Sequence, residues 1–172
     1  MRIQTNYDFK RDLTIGKKYE ELFAQHLEKN TEMIAKVQDG YNEAFDILCS
    51  EDQPLGKPKF TTFEVKRDFV YNTTKNVLIE LWNDWQQKKR GWFWHCRADW
   101  LVVFVNDYEY YAIPMFDLTM HFSANFSKYM LKDIKQKNGW ITRNYVCPLA
   151  RLNVDGCRIE WGDIRNEVCP KW

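Results

Sequence analysis

Glycine and proline are scarce in this chain, numbering 7 and 5 among 172 residues. Their scarcity excludes long flexible linkers and collagen-like repeats. An excess of one charge is also missing, since 25 Lys and Arg face 24 Asp and Glu for a formal net charge of +1. Basic and acidic groups can be segregated in a chain that looks neutral overall, so the local placement of charge matters more than the sum. No segment approaches the length of a membrane span, and Trp100-Leu101-Val102-Val103-Phe104-Val105 is strand-sized. Residues Met1 to Lys18 lack the apolar stretch of a secretory signal. The five cysteines, an odd number without a Cys-x-x-Cys pair, argue against a disulfide framework and a structural zinc site. A reducing, cytoplasmic setting is the simplest expectation, with no membrane partner.

Hydrophobic residues make up 45% and aromatics 16%, enough to bury a core in one domain over 1–172. Gly16 to Glu28 predicts an amphipathic helix, because Tyr19, Leu22, Phe23, Ala24 and Leu27 recur at helical spacing. Glu20 borders its buried side. Residues 31 to 38 fit either a short strand or an extension of that helix. Strands are predicted at Phe45 to Cys49, Phe60 to Arg67 and Val77 to Leu81, with a loop from Glu51 to Lys59 around Pro54, Gly56 and Pro58. Three strands joined by short links predict an antiparallel meander. Trp100 to Val105 reads as a strand buried on both faces, and Tyr110 to Met115 as its hairpin partner across Asn106-Asp107.

Phe116 to Gln136 predicts a second helix. Phe122, Phe126, Met130 and Ile134 would line one side, with Lys128, Lys132 and Lys135 roughly opposite. Short strands and loops follow Trp140, with turns near Asn138-Gly139 and Asp155-Gly156. The expected architecture is α/β (α+β), a central mixed sheet flanked by helices. Its core spans about 16–136, with a C-terminal extension over 137–172.

Chemistry concentrates at Phe63-Glu64-Val65-Lys66. Side chains alternate along a strand, so Glu64 and Lys66 share one face. Such a pair is costly to desolvate unless it binds something or is internally compensated. With Asp46 on a neighbouring strand, the group is a candidate divalent-metal site. Asp46 and Glu64 would supply carboxylates to Mg²⁺, with Mn²⁺ able to substitute, and the Val65 carbonyl would be a third ligand. Lys66 would orient the attacking water or stabilise transition-state charge. Glu20 would bind a second metal or hold a metal-bound water from the helix. The blander alternative makes Glu64 and Lys66 a solvated pair and leaves Asp46 capping a strand. Glu80 and Asp99 are lesser candidates, and Asp99 equally fits a cap or brace at a strand end.

These residues in this order resemble the PD-(D/E)XK nuclease superfamily. The matching features are a helix bearing Glu20, Asp46 at the next strand and Glu64-x-Lys66 on the strand after it. Ala98-Asp99-Trp100, opening an apolar strand, and Ile113-Pro114 look like the phage-type and Holliday-junction-resolvase-like members. The resemblance covers roughly residues 16 to 120. Phe45 stands where the family motif has proline. The resemblance implies a restriction-endonuclease-like core and a viral or mobile-element DNA endonuclease leaving 5′-phosphates. Structure selectivity like a junction resolvase's, and hence a homodimer, is one form this would take. A catalytically silent DNA- or protein-binding module and an RNA-directed nuclease remain the alternatives.

Two stretches are candidate nucleic-acid contacts. Lys88, Lys89 and Arg90, followed by Trp92, interleave charge with rings able to hold phosphates and stack on unpaired bases. Lys128, Lys132 and Lys135 would form one basic helical face. Each stretch has a bland counterpart, a solvated charge run or solvated face.

Overall fold

The computed structural model describes residues 9–39, 44–53, 56–136, 139–166, 169–170 and 172. Pro54 and Asn138, and the expectations resting on them and on residues 1–8, lie outside the described residues. Helix α1 runs Phe9–Asn30. Strands β1 (Ile34–Val37), β2 (Ile47–Glu51) and β3 (Lys59–Arg67) follow, so the undecided stretch after α1 is a strand. Short helix α2 (Tyr71–Thr74) leads to β4 (Asn76–Asp84), β5 (Lys89–Arg90) and short helix α3 (Trp92–His95). Next come β6 (Trp100–Phe104), β7 (Glu109–Pro114) and α4 (Met115–Asn125). The chain ends with β8 (Met130–Lys135), β9 (Ile141–Pro148), α5 (Leu149–Val154) and β10 (Glu160–Asp163).

The strands form two sheets. The first is mixed, in the order β1-β2-β3-β6-β7-β10, and the second has the order β5-β4-β9-β8. Only β3–β6 is parallel in the first sheet; its other pairs are antiparallel. Parallel neighbours require a crossover, and here α2, β4, β5 and α3 form it. β4 therefore does not continue the meander, as the run of three strands predicted. After β3, α2 ends at Lys75 in the left-handed region (φ 54°). β4 then pairs with β9, Val77 opposite Cys147 and Ile79 opposite Tyr145. Residues after 140 are thus woven into both sheets.

The helix expected over 116–136 is half its predicted length. α4 stops at Asn125, a 3₁₀ turn covers Phe126–Lys128, and Met130–Lys135 is a strand. Pairing with β9, reinforced by Arg143 Nε and Nη2 donating to Asp133 at 2.6 and 2.8 Å, outweighs the helical spacing. Lys132 and Lys135 consequently point to opposite sheet faces, and the basic helical face does not exist.

Both faces of the first sheet are covered. Phe63, Val65, Val102 and Phe104 pack against Tyr19, Phe23, Ala24 and Leu27 of α1. On the opposite side, Leu101, Val103, Tyr111 and Ile113 pack with Val77 and Ile79 of β4, Leu118 and Phe122 of α4, and Leu149 and Leu152 of α5. Every residue of β6 is buried for this reason. The hairpin after it closes where expected, with Asn106 Oδ1 accepting from Tyr108 N at 2.8 Å and Glu109 N at 2.7 Å.

Candidate active site

The register of the first sheet fixes where Glu64 and Lys66 emerge. They lie beside Leu101 and Val103 of β6, on the face opposite α1. Glu64 is only 4% exposed, so the solvated-pair alternative fails at this residue. Its carboxylate meets the Lys66 ammonium at 2.5 Å. Burial raises the Glu64 carboxyl, and the Lys66 charge acts against that shift. Burial also disfavours the Lys66 ammonium, but Glu64 and then Asp46 outweigh it and raise its pKa. The lysine side chain keeps 38% of its surface exposed, so solvent screens part of that attraction. Lys66 is therefore a cation throughout the neutral range.

Asp46 reaches the same ammonium from the start of β2. The β2–β3 ladder begins at Ile47 opposite Phe63, leaving Val65 past its end. There the Asp46 Oδ2 atom accepts from Val65 N at 2.7 Å and lies 3.9 Å from Lys66 Nζ. The aspartate both caps the strand and shares the lysine with Glu64. A strand residue's N–H and carbonyl point to the same side, so the Val65 carbonyl faces the edge where Asp46 stands.

Glu20 approaches from α1. Burial, then the Asp46 charge, raises its carboxyl to about 7, with a smaller push from Glu64. Lys17 Nζ lies 3.8 Å from Glu20 Oε2 and donates to the Gln38 carbonyl at 2.7 Å. Three carboxylates from α1, the β2 edge and β3 thus feel one another's field. Cys96 borders the same centre, its thiol pushed up to about 12 by burial and then by Glu64. Glu80 is also raised by burial, against a hydrogen bond from the Trp92 N–H and the field of Lys66.

Among the described residues, no three His, Cys, Asp or Glu side chains are gathered closely enough to hold a metal ion by themselves. The donor set nevertheless suits a hard cation. All its donors are oxygens, Mg²⁺ needs only one or two carboxylates beside its waters, and the Asp46 field that adds to burial in raising Glu20 is what a cation relieves. Asp46, Glu64 and the Val65 carbonyl would hold it, with Glu20 reaching it through a bound water.

Other candidates have structural placements. Asp99 Oδ2 accepts from Thr62 N at 2.7 Å and Thr62 Oγ1 at 2.9 Å, tying the start of β6 to β3, which is the bracing alternative for this residue. Lys89 and Arg90 form the edge strand β5, while Trp92 is half-buried against the core. The Lys88 ammonium sits 3.2 Å from the centroid of the Trp85 ring, and Arg143 lies 3.7 Å from that same ring. Arg90 stands 5.6 Å from the Trp94 ring. Sequence reading missed the Trp85 contacts, because Arg143 comes from another strand.

It also missed a polar cluster on His26. The His26 Nε2 atom lies 3.2 Å from Tyr110 Oη and 3.1 Å from Cys169 Sγ, while Nδ1 lies 3.0 Å from Asn30 Nδ2. The cluster does not make a nucleophile. Asn30 Nδ2 is a donor, which makes Nδ1 the acceptor and leaves the proton on Nε2. Burial, moreover, pushes the Cys169 thiol up to about 11. With the described residues in place, comparison with family models, curated proteins and solved structures gives no match, and the chemistry of the site rests on its own geometry.

Proposed function

We propose that this chain is a metal-dependent DNA endonuclease of PD-(D/E)XK type that hydrolyses phosphodiester bonds. The observation that carries this reading is the meeting of Asp46 and buried Glu64 on one lysine ammonium, with Glu20 held near neutrality beside them. The antiparallel β1-β2-β3 unit, β6 parallel to β3 and α1 packed in front support a restriction-endonuclease-like core.

A bound Mg²⁺ or Mn²⁺ would lower the pKa of its water and draw charge from the phosphoryl oxygens. Lys66, fixed as a cation, offers its ammonium to the charge growing on the phosphoryl group and cannot act as a base. Glu20, its carboxyl raised by burial and then by Asp46, would hold a metal-bound water from the helix side. Asp46 holds the Val65 amide, and with it the edge of the site, in place.

A silent DNA- or protein-binding module is the second reading, favoured by the strand-capping bond of Asp46 and the internal neutralisation of Glu64. Incubating supercoiled plasmid, single strands and a four-way junction with Mg²⁺ or Mn²⁺ separates the two. Cutting by wild type and not by Lys66→Ala supports the enzyme, whereas binding without cutting by either supports the module.

A further inference from the structure

A groove of about 340 Å³ lies between α2, α5 and β10. Trp161 forms its open wall, the buried Tyr71 ring packs behind it at a 60° tilt with centroids 6.1 Å apart, and the apolar floor includes Leu149 and Ile159. Trp161 is 54% exposed although it is among the largest apolar side chains. The polar groups are few and of definite kind. Lys75, held at the left-handed end of α2, places its ammonium 4.8 Å from the Tyr71 ring, and Asn153 adds an amide. No acidic residue lines the groove. Behind it, Tyr111 packs against both rings, and its buried hydroxyl has no hydrogen-bond partner among the described residues.

A flat ring with an attached anion matches this chemistry: the exposed Trp161 ring to stack on, an amide for the ring edge and an ammonium for the anion. We propose that the groove takes one unpaired nucleotide of a single strand, its base against Trp161 and its phosphate at Lys75. The choice of a strand over a free nucleotide rests on the endonuclease reading. Tyr71 lies five residues beyond Lys66, at most about 18 Å of extended chain, so one strand can touch both places.

The test is binding without metal, which keeps it separate from catalysis. A fluorescent 15-nucleotide single strand, the same sequence as blunt duplex and adenosine 5′-monophosphate are titrated against wild type, Trp161→Ala, Lys75→Gln and, as a control on the exposed side of α1, Glu21→Gln. Loss of a stacking ring is expected to weaken single-strand binding about tenfold or more. The exposed Lys75→Gln change, which leaves the core untouched, is expected to weaken it severalfold and to flatten its salt dependence. Duplex binding and the behaviour of Glu21→Gln are expected to match wild type. Equal single-strand affinity in wild type and both groove variants would overturn the proposal. So would adenosine 5′-monophosphate binding as tightly as the strand, which would mark a free-nucleotide pocket. A wild type that cuts nothing yet binds single strands through Trp161 would sink the endonuclease reading and leave the groove standing.

Discussion

Replacing Glu20 by glutamine removes a charge that burial, and then Asp46, disfavours within the candidate site. In wild type the folded-state carboxyl titrates at about 7 against an ordinary value of 4.5. Between those pH values the folded chain binds more protons than the unfolded chain, so stability falls as pH rises through this window and levels off above it. A shift of that size corresponds to about 3 kcal/mol of disfavoured charge. The Glu20 side chain is 17% exposed, and solvent together with Lys17 reduces the observable part to about 2 kcal/mol. Glutamine keeps the shape and removes the charge. Urea unfolding of both proteins at pH 5, 6, 7 and 8 should therefore show near-equal stability at pH 5 and a variant about 2 kcal/mol more stable at pH 8. Adding Mg²⁺ or Mn²⁺ should narrow the gap at pH 8, because a cation offsets the Asp46 field. Parallel stability curves for the two proteins would refute the reasoning.

Lys66→Ala strips buried Glu64 of its counter-charge and should cost about 2 kcal/mol at pH 8 and less at pH 5, where the carboxyl can protonate; chemical denaturation at the two pH values measures this. Gly91→Ala should destabilise by about 2 kcal/mol in thermal unfolding, since an added Cβ would stand 2.5 Å from the Glu80 carbonyl oxygen and 2.7 Å from Glu80 Cγ. Burial lowers the His26 pKa, so the stability this group contributes is present above 6.5 and lost as pH falls toward its folded-state value. The imidazole resonances in an NMR titration should accordingly move at a pH below that of an unhindered histidine.

What could be read from the chain followed local patterns. Alternation at Phe63, Glu64, Val65 and Lys66 gave the correct faces, and the unbroken apolar run at Trp100 marked a strand covered on both sides. Pairings between distant segments were hidden. Nothing local in Val77 or Ile79 tells that β4 pairs with β9 instead of β3, because the partner is chosen by the turn at Lys75 and by contacts some 70 residues away. Met130 to Lys135 carries helical spacing, yet the ladder to β9 and the Arg143–Asp133 fork decide its state. His26 and Cys169 are 143 positions apart, beyond any spacing rule. The carboxylate centre was legible because three of its groups lie on elements whose order alone brings them near. Glu64's burial and the near-neutral Glu20 emerge only when the second sheet and α1 close around them.

The most direct measurement is the nicking of supercoiled plasmid by wild type and by Glu64→Gln, at equal folded concentration with Mn²⁺ and then with a chelator. Wild-type nicking that vanishes on chelation and falls about 100-fold or more in the variant is the predicted result. Equal rates for the two proteins, or nicking that survives removal of the metal, would contradict it.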